Sequence, residues 1–164
     1  MTAPDRYLLL LGSNIDREEN LDRAVRILES RFAVLARSRI AESAAVGDPA
    51  GPVFFNQAMI VRSDLAPREM RLLLHGIETS LGRLRTVDRN SPRTIDIDVL
   101  FALDAAGAVL PEPPPHGDLR RHHYAAIPAA ELAGTVVLPG GATLARAAAA
   151  LGPPPAGFRT LDPA

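Results

Sequence analysis

The residues best suited to chemistry gather between Arg83 and Asp98. Asp96 and Asp98 stand two apart in the run Pro92-Arg93-Thr94-Ile95-Asp96-Ile97-Asp98. Alternate residues of a strand point to one face, so a strand here projects both carboxylates together. Their neighbours Ile95, Ile97, Val99 and Leu100 have core character. Two acids crowded against a core repel one another and resist desolvation. A hard divalent cation such as Mg²⁺ relieves both problems. The alternative is a pair of solvated acids on an exposed strand face, or partners for Arg93. Arg83, Arg85, Arg89 and Arg93 crowd the approach to the acids. Arginines around paired carboxylates suit a metal–polyphosphate site, where the metal bridges some phosphate oxygens and guanidinium groups take the rest.

Three further groups carry weaker signals. Gly12-Ser13-Asn14 closes an apolar run with a residue that allows close backbone approach and an amide. Phe54, Phe55 and Asn56 combine aromatic faces with an amide, as a pocket for a flat heterocycle needs, although a core strand with a satisfied Asn reads the same way. His116 follows a proline run and could donate to a phosphate oxygen, with Tyr124 a short way on.

Hydrophobic periodicity gives the elements that must hold these groups. Residues 7–11 read as a buried strand. Leu21, Ala24, Val25, Leu28 and Phe32 recur at helical spacing behind Asp16, Glu18 and Glu19, predicting a helix over 18–31. Residues 33–41 and 54–61 read as strands, joined by a turn-rich loop at 47–52. Pro67 opens a second helix whose stripe is Met70, Leu73, Leu74, Ile77 and Leu81, with Gly82 as its stop. Residues 83–92 form a basic loop and 94–102 a strand. Short helices are expected at 124–133 and 143–151, a short strand at 135–138, and a loose tail at 153–164. The order β-α-β-β-α-β predicts an α+β, ferredoxin-like antiparallel sheet with both helices on one face, followed by a C-terminal extension.

Length and composition bound the rest. A chain of 164 residues, 47% hydrophobic, suits one domain with one core over residues 1–164. It has no cysteine, which excludes disulfides and thiolate chemistry. All eighteen basic residues are arginine, so no lysine can form a Schiff base or serve a P-loop. A net charge of −1 advertises no nucleic-acid binding, and the apolar run near the N-terminus is too short for a signal or a membrane span. The expectation is a cytoplasmic, monomeric protein without membrane or nucleic-acid partners.

Taken together, these motifs resemble the 6-hydroxymethyl-7,8-dihydropterin pyrophosphokinase family of folate biosynthesis. The resemblance rests on Gly12-Ser13-Asn14, on Phe54-Phe55-Asn56-Gln57-Ala58, and on Ile77-Glu78-Thr79-Ser80-Leu81-Gly82-Arg83-Leu84-Arg85. It continues through residues 91–100 and Pro115-His116, and covers roughly residues 7–128. It implies transfer of pyrophosphate from ATP to the hydroxymethyl group of a reduced pterin, with release of AMP. By that resemblance Asp96 and Asp98 hold two Mg²⁺ ions, and Arg83, Arg93 and His116 meet the phosphates. Phe54 and Tyr124 sandwich the pterin, while Asn56 and the backbone around Ser43, Ala44 and Val46 read its edge. Glu78 and Val99 lie near the nucleoside, with Arg85 and Arg121 as further ATP-binding candidates. Loops near 47–52 and 85–91 are expected to close and exclude water. The chain departs from the family pattern at Asn90, Ser91, Pro111, Gly117 and His122. Those departures define the alternative: a diverged pterin- or nucleotide-binding protein with weak, absent or altered catalytic activity.

Overall fold

The computed structural model describes residues 2–83 and 93–163. Strands β1 (Arg6–Ser13), β2 (Ala33–Arg37), β3 (Ile40–Ser43), β4 (Phe54–Arg62), β5 (Asp96–Leu103) and β6 (Arg159–Leu161) form one sheet. Its order is β5-β1-β4-β3-β6, with β2 also paired to β4, and the ladders are antiparallel. This is the expected ferredoxin-like arrangement with two strands more, one from the split of the second expected strand and one from the tail.

β1 explains why its leucines run without a polar break. Tyr7, Leu9 and Leu11 enter one core layer, while Leu8 and Leu10 enter another. A strand buried on both faces reads as continuous hydrophobicity rather than alternation. The first layer is closed by α1 (Arg17–Arg31) through Leu21, Val25 and Leu28, and by α2 (Pro67–Ser80) through Met70, Leu74 and Ile77. Each helix lays down its predicted stripe. Pro67 stands in the first turn of α2, and the Glu69 carboxylate accepts from the Ala66 backbone N–H at 2.9 Å. Beyond the C-terminal end Gly82 takes φ +84°, a conformation that suits glycine.

The second layer is closed by the C-terminal extension: α3 (His123–Ala133) and α4 (Leu144–Ala149). Small residues dominate the contact, with Ala125, Ala129, Ala133 and Ala147 meeting Leu8, Leu10, Ala58 and Phe101. Alanines let helix and sheet approach closely.

Four boundaries differ from expectation, each for a local reason. The strand expected over 33–41 is split into β2 and β3 at Ser38. There the Ser38 hydroxyl accepts from Ala58 N–H at 2.9 Å and donates to the Arg39 carbonyl, while Gln57 donates to the Ser38 carbonyl. A side chain thus enters the ladder and interrupts it. β1 continues through Gly12 and Ser13 instead of stopping before them. The strand expected at 135–138 is reduced to one bridge between Val137 and Thr143, because the turn at Gly140 and Gly141 brings the chain back at once. The tail is not loose throughout: Arg159–Leu161 form β6 against β3, secured by the Arg159–Glu42 ion pair at 2.9 Å and by Leu161 against the first core layer. No helix among the described residues is long and apolar enough to cross a membrane.

Candidate active site

Strand register decides which side chains meet. Asp96 on β5 pairs with Gly12 on β1, and Gly12 pairs with Asn56 on β4. Two residues along, Asp98 pairs with Leu10 and Leu10 with Ala58. Period-two alternation therefore puts Asp96, Asp98, Gly12, Leu10, Asn56 and Phe54 on one sheet face, the face that α3 covers further along. Phe55, on the opposite face, is core, with the Arg17 guanidinium 4.6 Å from its ring centre.

At the end of the sheet that α3 leaves open lies a cavity of about 400 Å³. Its walls include Ser43 at the end of β3, Ala44 and Val46 from the loop that follows, and Phe54 and Asn56 from β4. Arg93, Asp96 and Asp98 border it, and Tyr124 comes from the start of α3. Every residue expected to contact the pterin is thus present in one cavity. Asn56 is 6% exposed. Gly12 makes room for it: a Cβ on Gly12 would fall 2.5 Å from the Asn56 amide oxygen. The Ser43 hydroxyl is 7% exposed by residue and has no hydrogen-bond partner among the described residues. A buried polar atom without a partner is costly unless a ligand answers it.

The Gly12-Ser13-Asn14 motif is a clasp rather than a turn. Ser13 Oγ donates to the Thr94 carbonyl, and Asn14 Oδ1 accepts from Arg93 N–H at 2.7 Å. Together they fix the segment entering β5, and hence Arg93 and Asp96.

The acids lie in a strongly charged frame. Arg83 and Arg93 both hydrogen-bond Asp96, the latter at 3.0 Å. Arg83 also reaches Glu78 at 3.0 Å. Glu78 is 1% exposed and accepts from Ile97 N–H at 2.8 Å. Its carboxylate thus braces Arg83 and β5 from beneath. Burial opposes the Arg83 charge, but Asp96 and Glu78 more than offset it, and its pKa lies above the ordinary value. Asp98 behaves differently. Burial first, and the Asp96 charge second, push its carboxyl up to about 7. An acid so disfavoured as an anion is answered by a nearby cation. Two hard carboxylates are a fitting protein share for Mg²⁺, which commonly takes one or two carboxylates and leaves its other positions to water and substrate phosphate. No group of three or more His, Cys, Asp or Glu arranged to hold a metal occurs among the described residues.

A second cavity, about 280 Å³, opens at the edge of β5 away from β1. Val99, Ile97, Pro113, Pro114 and His116 line it, with Leu74 and His75 from α2. Asp98 lines both cavities. Of the other expected nucleotide contacts, Arg121 lies outside both: its guanidinium folds over Gly117, where it fills the space a side chain would need, and Nε donates to the Gly117 carbonyl at 3.3 Å. Arg85 and the loop 85–91 lie outside the described residues.

Two polar wall residues were not expected from the sequence as ligand contacts: Asp118 and His122. Tyr124 donates to Asp118 at 2.6 Å, and the His122 and Tyr124 rings stack 5.1 Å apart at 11°. An acid two residues after Pro-His was the available signal for Asp118.

The family model for 7,8-dihydro-6-hydroxymethylpterin-pyrophosphokinase (HPPK) matches residues 8–134. The chain is similar to the 2-amino-4-hydroxy-6-hydroxymethyldihydropteridine pyrophosphokinase of Methylorubrum extorquens, 36% identical over 151 residues, 90% of this chain and 94% of that protein. It is also similar to the Bacillus subtilis protein of the same name, 42% identical over 96 residues, which is 57% of either chain. The Campylobacter jejuni protein so named is 34% identical over 101 residues, 58% of this chain and 64% of that one.

Proposed function

The chain belongs to the 7,8-dihydro-6-hydroxymethylpterin-pyrophosphokinase family, and on that premise we propose that it transfers pyrophosphate from ATP to 6-hydroxymethyl-7,8-dihydropterin, a step of folate biosynthesis. The hydroxymethyl oxygen attacks the β-phosphorus, the bond from that phosphorus to the α-bridging oxygen breaks, AMP leaves, and the hydroxyl proton passes to solvent or base. The observation that carries this reading is the placement of Asp98 in the walls of both cavities. A reaction that moves pyrophosphate from a nucleotide to a flat heterocycle needs two pockets meeting at one charged point.

The first cavity takes the pterin. Phe54 and Tyr124 supply ring faces, Asn56 and the Ser43 hydroxyl supply hydrogen bonds, and the backbone at Ala44 and Val46 completes the edge. The second takes the nucleoside between Val99, Pro113 and Pro114, with His116 toward the phosphates. Asp96 and Asp98 would hold Mg²⁺, two ions by family analogy, whose chemistry is to neutralise triphosphate charge and orient it. Arg83 and Arg93 are already fixed beside the acids and stabilise charge on the transferred group. Glu78 acts through Arg83 and β5 rather than by touching ATP. Arg121 would reach the nucleotide only by leaving Gly117, and Arg85 is retained as an ATP contact on the resemblance alone. The reading is of a monomer working in the cytoplasm, where ATP is available.

Incubation with ATP, Mg²⁺ and 6-hydroxymethyl-7,8-dihydropterin should release AMP in proportion to pterin consumed. ATP turnover that ignores the pterin, or none at high enzyme concentration, would reject the proposal. Tight pterin binding without AMP would instead establish the diverged binding protein.

A further inference from the structure

Asp118 is the second residue of a short 3₁₀ turn, Gly117–Arg120, that follows His116 of the second cavity. Its backbone is tied down on both sides. Asp118 N–H donates to His116 Nδ1 at 3.2 Å, and its carbonyl accepts from His122 N–H at 2.9 Å. Its side chain lies among three rings. The Tyr124 hydroxyl donates to it at 2.6 Å, His116 Nδ1 stands 3.8 Å away and His122 Nε2 3.9 Å away. Asp118, His122 and Tyr124 all line the first cavity and are half-buried, Tyr124 with one side packed against the second core layer.

We propose that Asp118 is a positioning residue for ligand recognition: it fixes the Tyr124 ring, backed by His122, as a rigid wall of the ring-binding cavity. The argument is geometric. Core packing restrains one side of the Tyr124 ring, but its hydroxyl end faces the cavity, and any freedom left there must be ordered at each binding event. A 2.6 Å bond to a carboxylate is short and charge-assisted, so it holds the ring before the ligand arrives. The near-parallel stack of His122 restrains the same ring through its face. Burial and this bond keep the phenol proton in place far above neutral pH, so the tether persists throughout the working range.

The inference rests on the pterin reading of this cavity, and the experiment separates the two. Binding is followed by fluorescence titration with 6-hydroxymethylpterin, and turnover by AMP release. Asp118→Ala should raise the pterin Kd and KM about tenfold, the scale of one lost hydrogen bond to a charged acceptor. The KM for ATP and kcat should stay within about twofold. Asp118→Asn should recover most of the loss, because its amide oxygen still accepts from Tyr124. Tyr124→Phe, which keeps the ring and the packing, should weaken pterin binding to a similar degree, and Asp118→Ala should add nothing in that background. Additive losses in the double variant, or Asp118→Asn as damaging as Asp118→Ala, would overturn the inference, since Asp118 would then act on the ligand directly. Unaltered binding by both single variants would overturn it alone. Wild-type protein that fails to bind the pterin would reject the functional proposal and this inference with it.

Discussion

Gly12 and Asn56 face each other across the β1–β4 ladder, and the side chain that Gly12 lacks is the space that the Asn56 amide fills. The glycine is therefore a recognition residue by omission. Gly12→Ala puts a methyl 2.5 Å from the Asn56 amide oxygen, and the amide must rotate away. Loss of one or two oriented hydrogen bonds predicts a rise in pterin KM of about ten- to a hundredfold. Thermal stability should change little, because the strand's φ suits alanine. Kinetics together with a melting curve check the prediction; unchanged KM would mean Asn56 does not read the ligand.

The acid pair predicts a different failure. Asp96→Ala should abolish Mg²⁺-dependent ATP binding by calorimetry, and Asp98→Asn should lower turnover by roughly 10²–10³-fold or more, the scale of removing one preorganised group from developing charge. Chelation of the metal should reproduce both losses in the wild type, and added Mg²⁺ should reverse only the wild-type loss. ATP binding that survives Asp96→Ala unchanged would show the metal lies elsewhere.

Metal-free protein should lose stability to Asp98 as pH rises from about 4 to about 7. The unfolded chain releases this proton near the ordinary 3.8, whereas burial and Asp96 hold it in the folded chain up to about 7. Between these values the folded state binds more protons, so unfolding free energy falls with rising pH. Asp98→Asn removes that slope. In urea denaturation with chelator present, the variant should gain on the wild type between pH 4 and 7.5. A gap that stays constant over this range would contradict the assigned shift.

Glu78 should matter to folding more than to ligand contact. It is buried beneath β5, paired to Arg83 and bonded to Ile97 N–H. Glu78→Ala removes one of the carboxylates bonded to Arg83, which keeps Asp96, and leaves a buried N–H without its acceptor, at a cost of about 1–3 kcal/mol. Glu78→Gln keeps an acceptor for Ile97 and should lose less. Denaturant midpoints decide this; a loss below about 1 kcal/mol for alanine would show that the brace is not structural.

The legible parts of this chain were those governed by periodicity or by short motifs. The stripes Leu21/Val25/Leu28 and Met70/Leu74/Ile77 announced helices that pack as predicted. The Asp96/Asp98 spacing announced a shared strand face. What escaped depends on single contacts that no window reveals. Ser38 breaks a strand because Ala58 happens to lie opposite. Arg159–Leu161 form a strand only because Glu42 and the edge of β3 await them across the fold. Asp118 acquires its place from Tyr124 and two histidines that a 3₁₀ turn folds toward it. Arg121 has the right charge and neighbourhood, yet the missing side chain of Gly117 offers it another berth.

The alanine layer under α3 carries a consequence for anyone altering this protein. The helix that seals Leu8 and Leu10 is the one whose second residue is Tyr124. Enlarging Ala125 or Ala129 would lift the helix off the sheet and carry the ring with it. Heat tolerance and ligand preference thus share one set of coordinates, and a library built to improve the first would drift in the second. Selecting variants by melting temperature alone would retune the pocket unseen.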